Sequence, residues 1–184
     1  MHFCVQCGQA VDYRIPEGDE RPRAVCTACG FIQYENPKLV VGCVAEWEGR
    51  VLLCRRAIEP RAGLWTLPAG FMENGESTAA AAVRETLEEA GAQIELFDLF
   101  AFIDIPEISQ VHLFYRGQLV DGRHAPGCES LETALFDEAE IPWETLAFHS
   151  VRFCLDNYFA ARRKQCFNLC RAELRHAHAG PCAK

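Results

Sequence analysis

The 184-residue chain has no apolar run approaching the ~20 residues of a membrane-spanning helix. It has no low-complexity segment, and no internal repeat beyond two short cysteine pairs. Those absences argue against membrane, fibrous and solenoid classes. Positive charge is also scarce: 18 Lys and Arg stand against 26 Asp and Glu, a net charge of −8. Such a balance disfavours general affinity for nucleic acid or for anionic membrane. The opening Met1-His2-Phe3-Cys4 does not read as a secretory signal, so the expected location is cytoplasmic, where disulfides are rare. What is present suffices for a core. The hydrophobic fraction is 49%, and the length fits one domain plus a small module.

The cysteines are not scattered. Cys4-x2-Cys7, then 18 residues, then Cys26-x2-Cys29 has the spacing of a zinc ribbon. Each pair is followed by glycine, Gly8 or Gly30, which lets the backbone turn tightly around a metal. Four thiolates around Zn²⁺ stabilise a subdomain whose own core is too small, and such a site is closed and structural. Zinc ribbons often bind nucleic acid. Here residues 1–36 carry three arginines against five acids, a poor phosphate-tracking surface.

The densest chemistry lies between Gly70 and Gly91. Thr78 to Ala90 is rich in Ala, Leu, Glu and Arg and has no internal Gly or Pro, so it is expected to be helical. Ser77 is the candidate N-cap and Gly91 the candidate C-terminal stop. Glu85, Glu88 and Glu89 fall at i, i+3 and i+4 and therefore share a face. Three neighbouring carboxylates repel one another unless a cation or an arginine neutralises them, and Arg84 is placed to bridge to Glu88. The small and apolar residues Ala79, Ala80, Ala82, Val83, Thr86, Leu87 and Ala90 are expected on the buried side.

The pattern Gly70-x5-Glu76-x7-Arg84-Glu85-Thr86-x-Glu88-Glu89-x-Gly91-Ala92 resembles the Nudix box, with all seven of its fixed positions present. At typical residue frequencies, chance gives this on the order of once in 10⁸ starting points. Thr86 and Ala92 stand where larger aliphatics are usual. The preceding Trp65-Thr66-Leu67-Pro68-Ala69 resembles the strand and turn that lead into the box. The resemblance covers roughly residues 38–160 and implies an α/β/α sandwich with a mixed sheet. It implies divalent Mg²⁺ or Mn²⁺ held by Gly70, Glu85, Glu88 and Glu89. Glu76 and Arg84 would orient the helix and its carboxylates.

The coarse order is a ribbon over 1–34, a linker at Asn36-Pro37, the Nudix domain over 38–160 and a helical extension over 161–184. Leu39 to Trp47 and Arg50 to Arg55 are split by Glu48-Gly49, a hairpin signal. Ile94 to Ile105, Gln110 to Val120 and Leu131 to Phe136 read as further strands. From His149 to about Arg175 apolar residues recur at helical spacing. Strands and helices interleave without βαβ regularity, the mark of a mixed α/β or α+β fold. Cys166-x3-Cys170, His176-x-His178 and Cys182 have no standard ligand spacing; they suit either a second metal site or packing.

Two Nudix groups carry a zinc ribbon. NADH pyrophosphatases have a Ser-Gln-Pro-Trp-Pro-Phe-Pro motif after the box, but here Ser109-Gln110 is followed by Val111-His112-Leu113-Phe114. FAD and ADP-ribose pyrophosphatases are similar at Asn36-Pro37-Lys38, at Cys54 to Arg61 and at Glu140-Ile141-Pro142-Trp143 with Leu146-Ala147-Phe148. The expected substrate is therefore FAD or ADP-ribose, cleaved to AMP and a second phosphate. NADH or NAD, a nucleotide cap on RNA, and a non-catalytic nucleotide sensor or adaptor are the alternatives. Arg55, Arg56 and Arg61 are candidates to neutralise a pyrophosphate. Glu129, on a later loop, is the candidate general base. A homodimer is expected from the resemblance.

Overall fold

Residues 1–175 are described by a computed structural model, in two units, Met1–Pro37 and the chain from Lys38 onward. In the first, β1 (Val11–Arg14), β2 (Arg23–Cys26) and β3 (Ile32–Gln33) form an antiparallel sheet. Gly8 and Gly30 take φ of 73° and 74°, and their N–H groups close turns on Cys4 and Cys26. Any side chain would be strained there.

The second unit starts with the expected hairpin, β4 (Lys38–Trp47) and β5 (Arg50–Arg56). Short strands β6 (Trp65–Thr66) and β7 (Ala69–Phe71) follow, then helix α1 (Thr78–Ala90). Strands β8 (Ile94–Ile105), β9 (Gln110–Leu119) and β10 (Ser130–Phe136) lead to helix α2 (His149–Lys164) and strand β11 (Cys170–Glu173). The main sheet runs β10-β5-β4-β9-β8-β11, with β6 against β5 and β7 against β4. The β4–β9 and β8–β11 pairs are parallel and the others antiparallel, so the sheet is mixed.

Alternation along the strands builds the three layers. Val44, Val51 and Leu53 face one way and pack with Val151, Leu155, Tyr158 and Phe159 of α2. Cys43, Ala45, Leu52 and Cys54 face the other and meet Ala90 near the end of α1. Val41 and Leu113 on that side meet Ala81 and Ala82. The result is the expected α/β/α sandwich. No helix among the described residues is long and apolar enough to cross a membrane.

Over the described part of the expected 161–184 extension, the helix is shorter than expected and a strand follows it. The helix stops at Lys164, where Gln165 turns left-handed (φ 51°) and its N–H returns to the last-turn carbonyls. Beyond it Cys170 and Ala172 are half-buried while Arg171 and Glu173 are exposed, a period of two that adds an edge strand to β8. Cys166 and Cys170 thus do not share a helix, and the Cys170 thiol donates to the Phe100 carbonyl. His176, His178 and Cys182 lie outside the described residues.

Candidate active site

Two turns of backbone bring the site together. Gly42 of β4 has no side chain because Pro68 and Ala69 press against it. A Cβ there would lie 2.4 Å from the Ala69 Cβ and 2.5 Å from the Pro68 carbonyl oxygen. That approach seats β7 beside β4 and delivers Gly70 to the face of α1. The helix is capped as its sequence suggests. The Ser77 hydroxyl accepts from the Ala80 N–H at 3.1 Å, and left-handed Gly91 closes the other end.

The buried face of α1 differs from the sequence expectation. Val83 and Leu87 are 37% and 49% exposed, whereas Ala81, Ala82, Glu85, Thr86, Glu89 and Ala90 are buried. The reason is that the two carboxylates have partners on the inside. Glu89 accepts the Ala69 N–H at 2.9 Å. Glu85 occupies the space a side chain at residue 70 would need, both its oxygens lying 2.4 Å from an ideal Gly70 Cβ. Glu88 points outward, with its side chain 56% exposed against 11% for Glu85.

Arg84 is the hub of this cluster. Its Nε and Nη2 clasp Glu76 at 3.0 and 2.8 Å, and Nη2 also reaches the Phe71 carbonyl at 3.1 Å. Its Nη1 donates to Glu85 at 2.8 Å and Glu88 at 2.9 Å. The Arg84 clasp, helped by the Glu73 N–H, holds the Glu76 carboxyl down to about 2. Burial has the opposite effect on the inner pair. It raises Glu85 despite Arg84, and it pushes Glu89 up to about 7. The Ala69 amide and Arg56 oppose the shift of Glu89, while Glu85 and Glu129 add to it.

Glu129, forty residues beyond Glu89, comes near this pair: its carbonyl accepts the Ala57 N–H at 2.8 Å just beyond β5, and its charge adds to the upward shifts of Glu85 and Glu89. The three arginines separate. Arg56 feels Glu89, donates from Nε to the Pro60 carbonyl at 2.9 Å, and lies over the Phe148 ring at 5.2 Å. Arg55 is tied to structure instead, through the Gly63 carbonyl at 3.1 Å and Glu132 at 3.5 Å. Arg61 stands in the exposed loop between β5 and β6 with φ 70°. Phe148 was not singled out by sequence reasoning; only its Leu146-Ala147-Phe148 context was.

The donor set suits a hard divalent cation. It consists of anionic oxygens beside a turn from which side chains are excluded, at a place where burial disfavours uncompensated charge. The ribbon cysteines suit a soft one. Among the described residues they are the one group of three or more His, Cys, Asp or Glu whose ligand atoms all lie within 4.8 Å of one another. The Sγ separations are 3.8 Å for Cys4–Cys29 and 3.4 Å for Cys7–Cys26, near the ~3.8 Å edge of a tetrahedron with 2.3 Å metal–sulfur bonds. The thiols share their protons unevenly: the Cys29 N–H, at 3.4 Å, lowers the Cys26 thiol, while that of Cys7 is raised, against the backbone of Gln9, by hydrogen bonds with Cys26 and Cys29.

Comparison with known proteins agrees with this geometry. A family model described as NUDIX domain matches residues 36–157, and one described as Nudix N-terminal, a zinc-ribbon model, matches residues 2–35. The crystal structure of a NUDIX hydrolase from Nitrosomonas europaea superposes with a TM-score of 0.92 at 49% identity, over 95% of this chain and 99% of that one. An ADP-ribose pyrophosphatase of Methanocaldococcus jannaschii is 28% identical over 67% of this chain and 74% of its own. The NAD-capped RNA hydrolase NudC of Photobacterium profundum is 27% identical over 76% of this chain. The chain spans 51% of that relative's length.

Proposed function

The chain belongs to the Nudix hydrolase family, with that family's N-terminal zinc-ribbon module ahead of the hydrolase domain, and from this premise we propose that it cleaves a nucleoside diphosphate linked to another moiety, ADP-ribose or FAD. A water oxygen bonds to one phosphorus, the bridging P–O bond breaks, and AMP leaves together with the second phosphate product. The observation that carries this reading is the inward Glu85–Glu89 pair, set against the Gly70 turn and faced by Glu129.

Glu85 and Glu89, with the Gly70 backbone, would hold Mg²⁺ or Mn²⁺, with Glu88 at the outer edge of the set. When bound, such an ion neutralises pyrophosphate oxygens and lowers the pKa of water. The protein's own groups do the rest. Glu76 fixes Arg84, and Arg84 fixes the carboxylates. Arg56 offers its guanidinium to the pyrophosphate, and Glu129 takes the proton of the attacking water. Zn²⁺ is the ion proposed for Cys4, Cys7, Cys26 and Cys29.

The test is product analysis by chromatography. Wild type and Glu85→Gln are incubated with Mg²⁺ and, separately, ADP-ribose, FAD, NADH and NAD. AMP from wild type but not from the variant supports the reading, and the fastest substrate names the specificity. No AMP from any of the four, with the protein folded, refutes it in favour of the sensor. The NudC relative supports a second reading, release of a nucleotide cap from RNA by the same chemistry. An NAD-capped oligonucleotide turned over faster than free NAD would favour it.

A further inference from the structure

The stretch between β9 and β10 is fastened to the end of the box helix. The Ala125 N–H donates to the Ala90 carbonyl at 2.8 Å, and the Gly127 N–H donates to the Glu89 carbonyl at 3.0 Å. These are last-turn carbonyls, which have no partner within their own helix. The contact at 127 is closer than any side chain permits. An ideal Cβ on Gly127 would lie 1.7 Å from the Glu88 carbonyl oxygen and 2.9 Å from its carbon. The far end is fastened too: the Ser130 N–H donates to the Gly127 carbonyl at 3.1 Å, and the Glu129 carbonyl accepts the Ala57 N–H at 2.8 Å. Glu129 is thus caught between two anchors, one on α1 and one beyond β5.

Repulsion explains why anchors are needed. Glu129 is exposed and shares its surroundings with Glu85 and Glu89. Like charges push apart, and a loop free of these anchors would carry its carboxylate away from the pair. We propose that Gly127 is a positioning residue, which seats the 120–129 loop on the last turn of α1 and so keeps the Glu129 carboxylate at the Glu85–Glu89 pair. The inference rests on the reading of Glu129 as the proton acceptor and adds how the fold delivers it.

The experiment is a double-mutant cycle on the full chain. Gly127→Ala, Glu129→Gln and the double variant are assayed for AMP release from ADP-ribose with Mg²⁺. Amide exchange over residues 120–130 is followed in parallel without metal or substrate. Gly127→Ala is expected to lower kcat at least about 10-fold, within the usual contribution of a positioned acid or base. KM should stay within about 2-fold, and the double variant should be no slower than Glu129→Gln alone. The Ala125 and Gly127 amides should lose protection while the first turns of α1 keep theirs. Wild-type kcat in Gly127→Ala, or a double variant slowed by the product of the single effects, overturns the proposal. An inactive Glu129→Gln beside a fully active Gly127→Ala removes only the positioning role. A fully active Glu129→Gln removes the reading beneath it as well. Should Gly127→Ala fail to fold, Ala125→Pro deletes the other amide donor without adding atoms beside Glu88, and the same pattern decides.

Discussion

Replacing Glu89 by glutamine should make the protein more stable above neutral pH. The ordinary carboxyl value is 4.5, and burial lifts that of Glu89 to about 7. The folded state therefore holds a proton that the unfolded chain has released throughout that window. Stability from this group is full below 4.5 and is lost as pH rises through 7. With about 1.4 kcal/mol per decade, the cost of the folded carboxylate is about 1 kcal/mol at pH 5 and about 3 kcal/mol at pH 8. Burial places His112 in the opposite sense. Its imidazole, bonded to Ser150 and Gln110, is lowered to about 4, so it favours folding as pH rises toward 6.5. The two slopes oppose each other in wild type, and only the difference from a variant isolates Glu89.

The assay is thermal unfolding by circular dichroism, on protein dialysed free of Mg²⁺ and Mn²⁺. The advantage of Glu89→Gln over wild type should grow by about 2 kcal/mol from pH 5 to pH 8, or roughly 4–8 °C in Tm for a chain of this size. Added Mg²⁺ at pH 8 should raise the Tm of wild type more than that of the variant. A difference that stays constant with pH, or shrinks as pH rises, would refute the burial argument.

Glu85→Gln should abolish AMP release, while Glu88→Gln, whose side chain is exposed and held by Arg84, should lose kcat by a smaller factor; equal losses would contradict the separation of inner from outer carboxylates. Arg56→Ala should raise KM several-fold and Arg55→Ala should not, because Arg55 is engaged by Gly63 and Glu132. Cys29→Ser should release one equivalent of zinc, measured by elemental analysis, and unfold the ribbon. Retention of a full equivalent would count against the four-cysteine site.

The box was legible in the sequence because its chemistry is local. Ser77, Gly91, the Arg84–Glu88 bridge and the bounds of α1 follow from spacing within one helix. The hairpin at Glu48-Gly49 and the strand Ile94–Ile105 were equally readable. What required the structure depends on distant segments. Helical periodicity alone put Val83 and Leu87 inside, since it could not show that Ala69 and Gly70 wait to receive Glu89 and Glu85. The arginines look alike in sequence; only the packing of Phe148 and Glu132 tells Arg56 from Arg55. Strand β11 reads as helix in the sequence because its four residues are too few for a period of two to register, and its pairing partner lies sixty-nine residues earlier.

Arg84 sets how the carboxylates of the box helix would respond to a supply of divalent ions. The box helix contains its own resident cation, bonded to Glu76, Glu85 and Glu88, which offsets part of their charge and leaves Glu89 to the Ala69 amide. A divalent ion arriving there would compete with a guanidinium for Glu85, and on its departure that guanidinium would be at hand to take the carboxylate back. The four-cysteine cluster offers thiols alone; an ion there would be a lasting part of the fold, and one at the box helix a guest that a guanidinium can replace at Glu85.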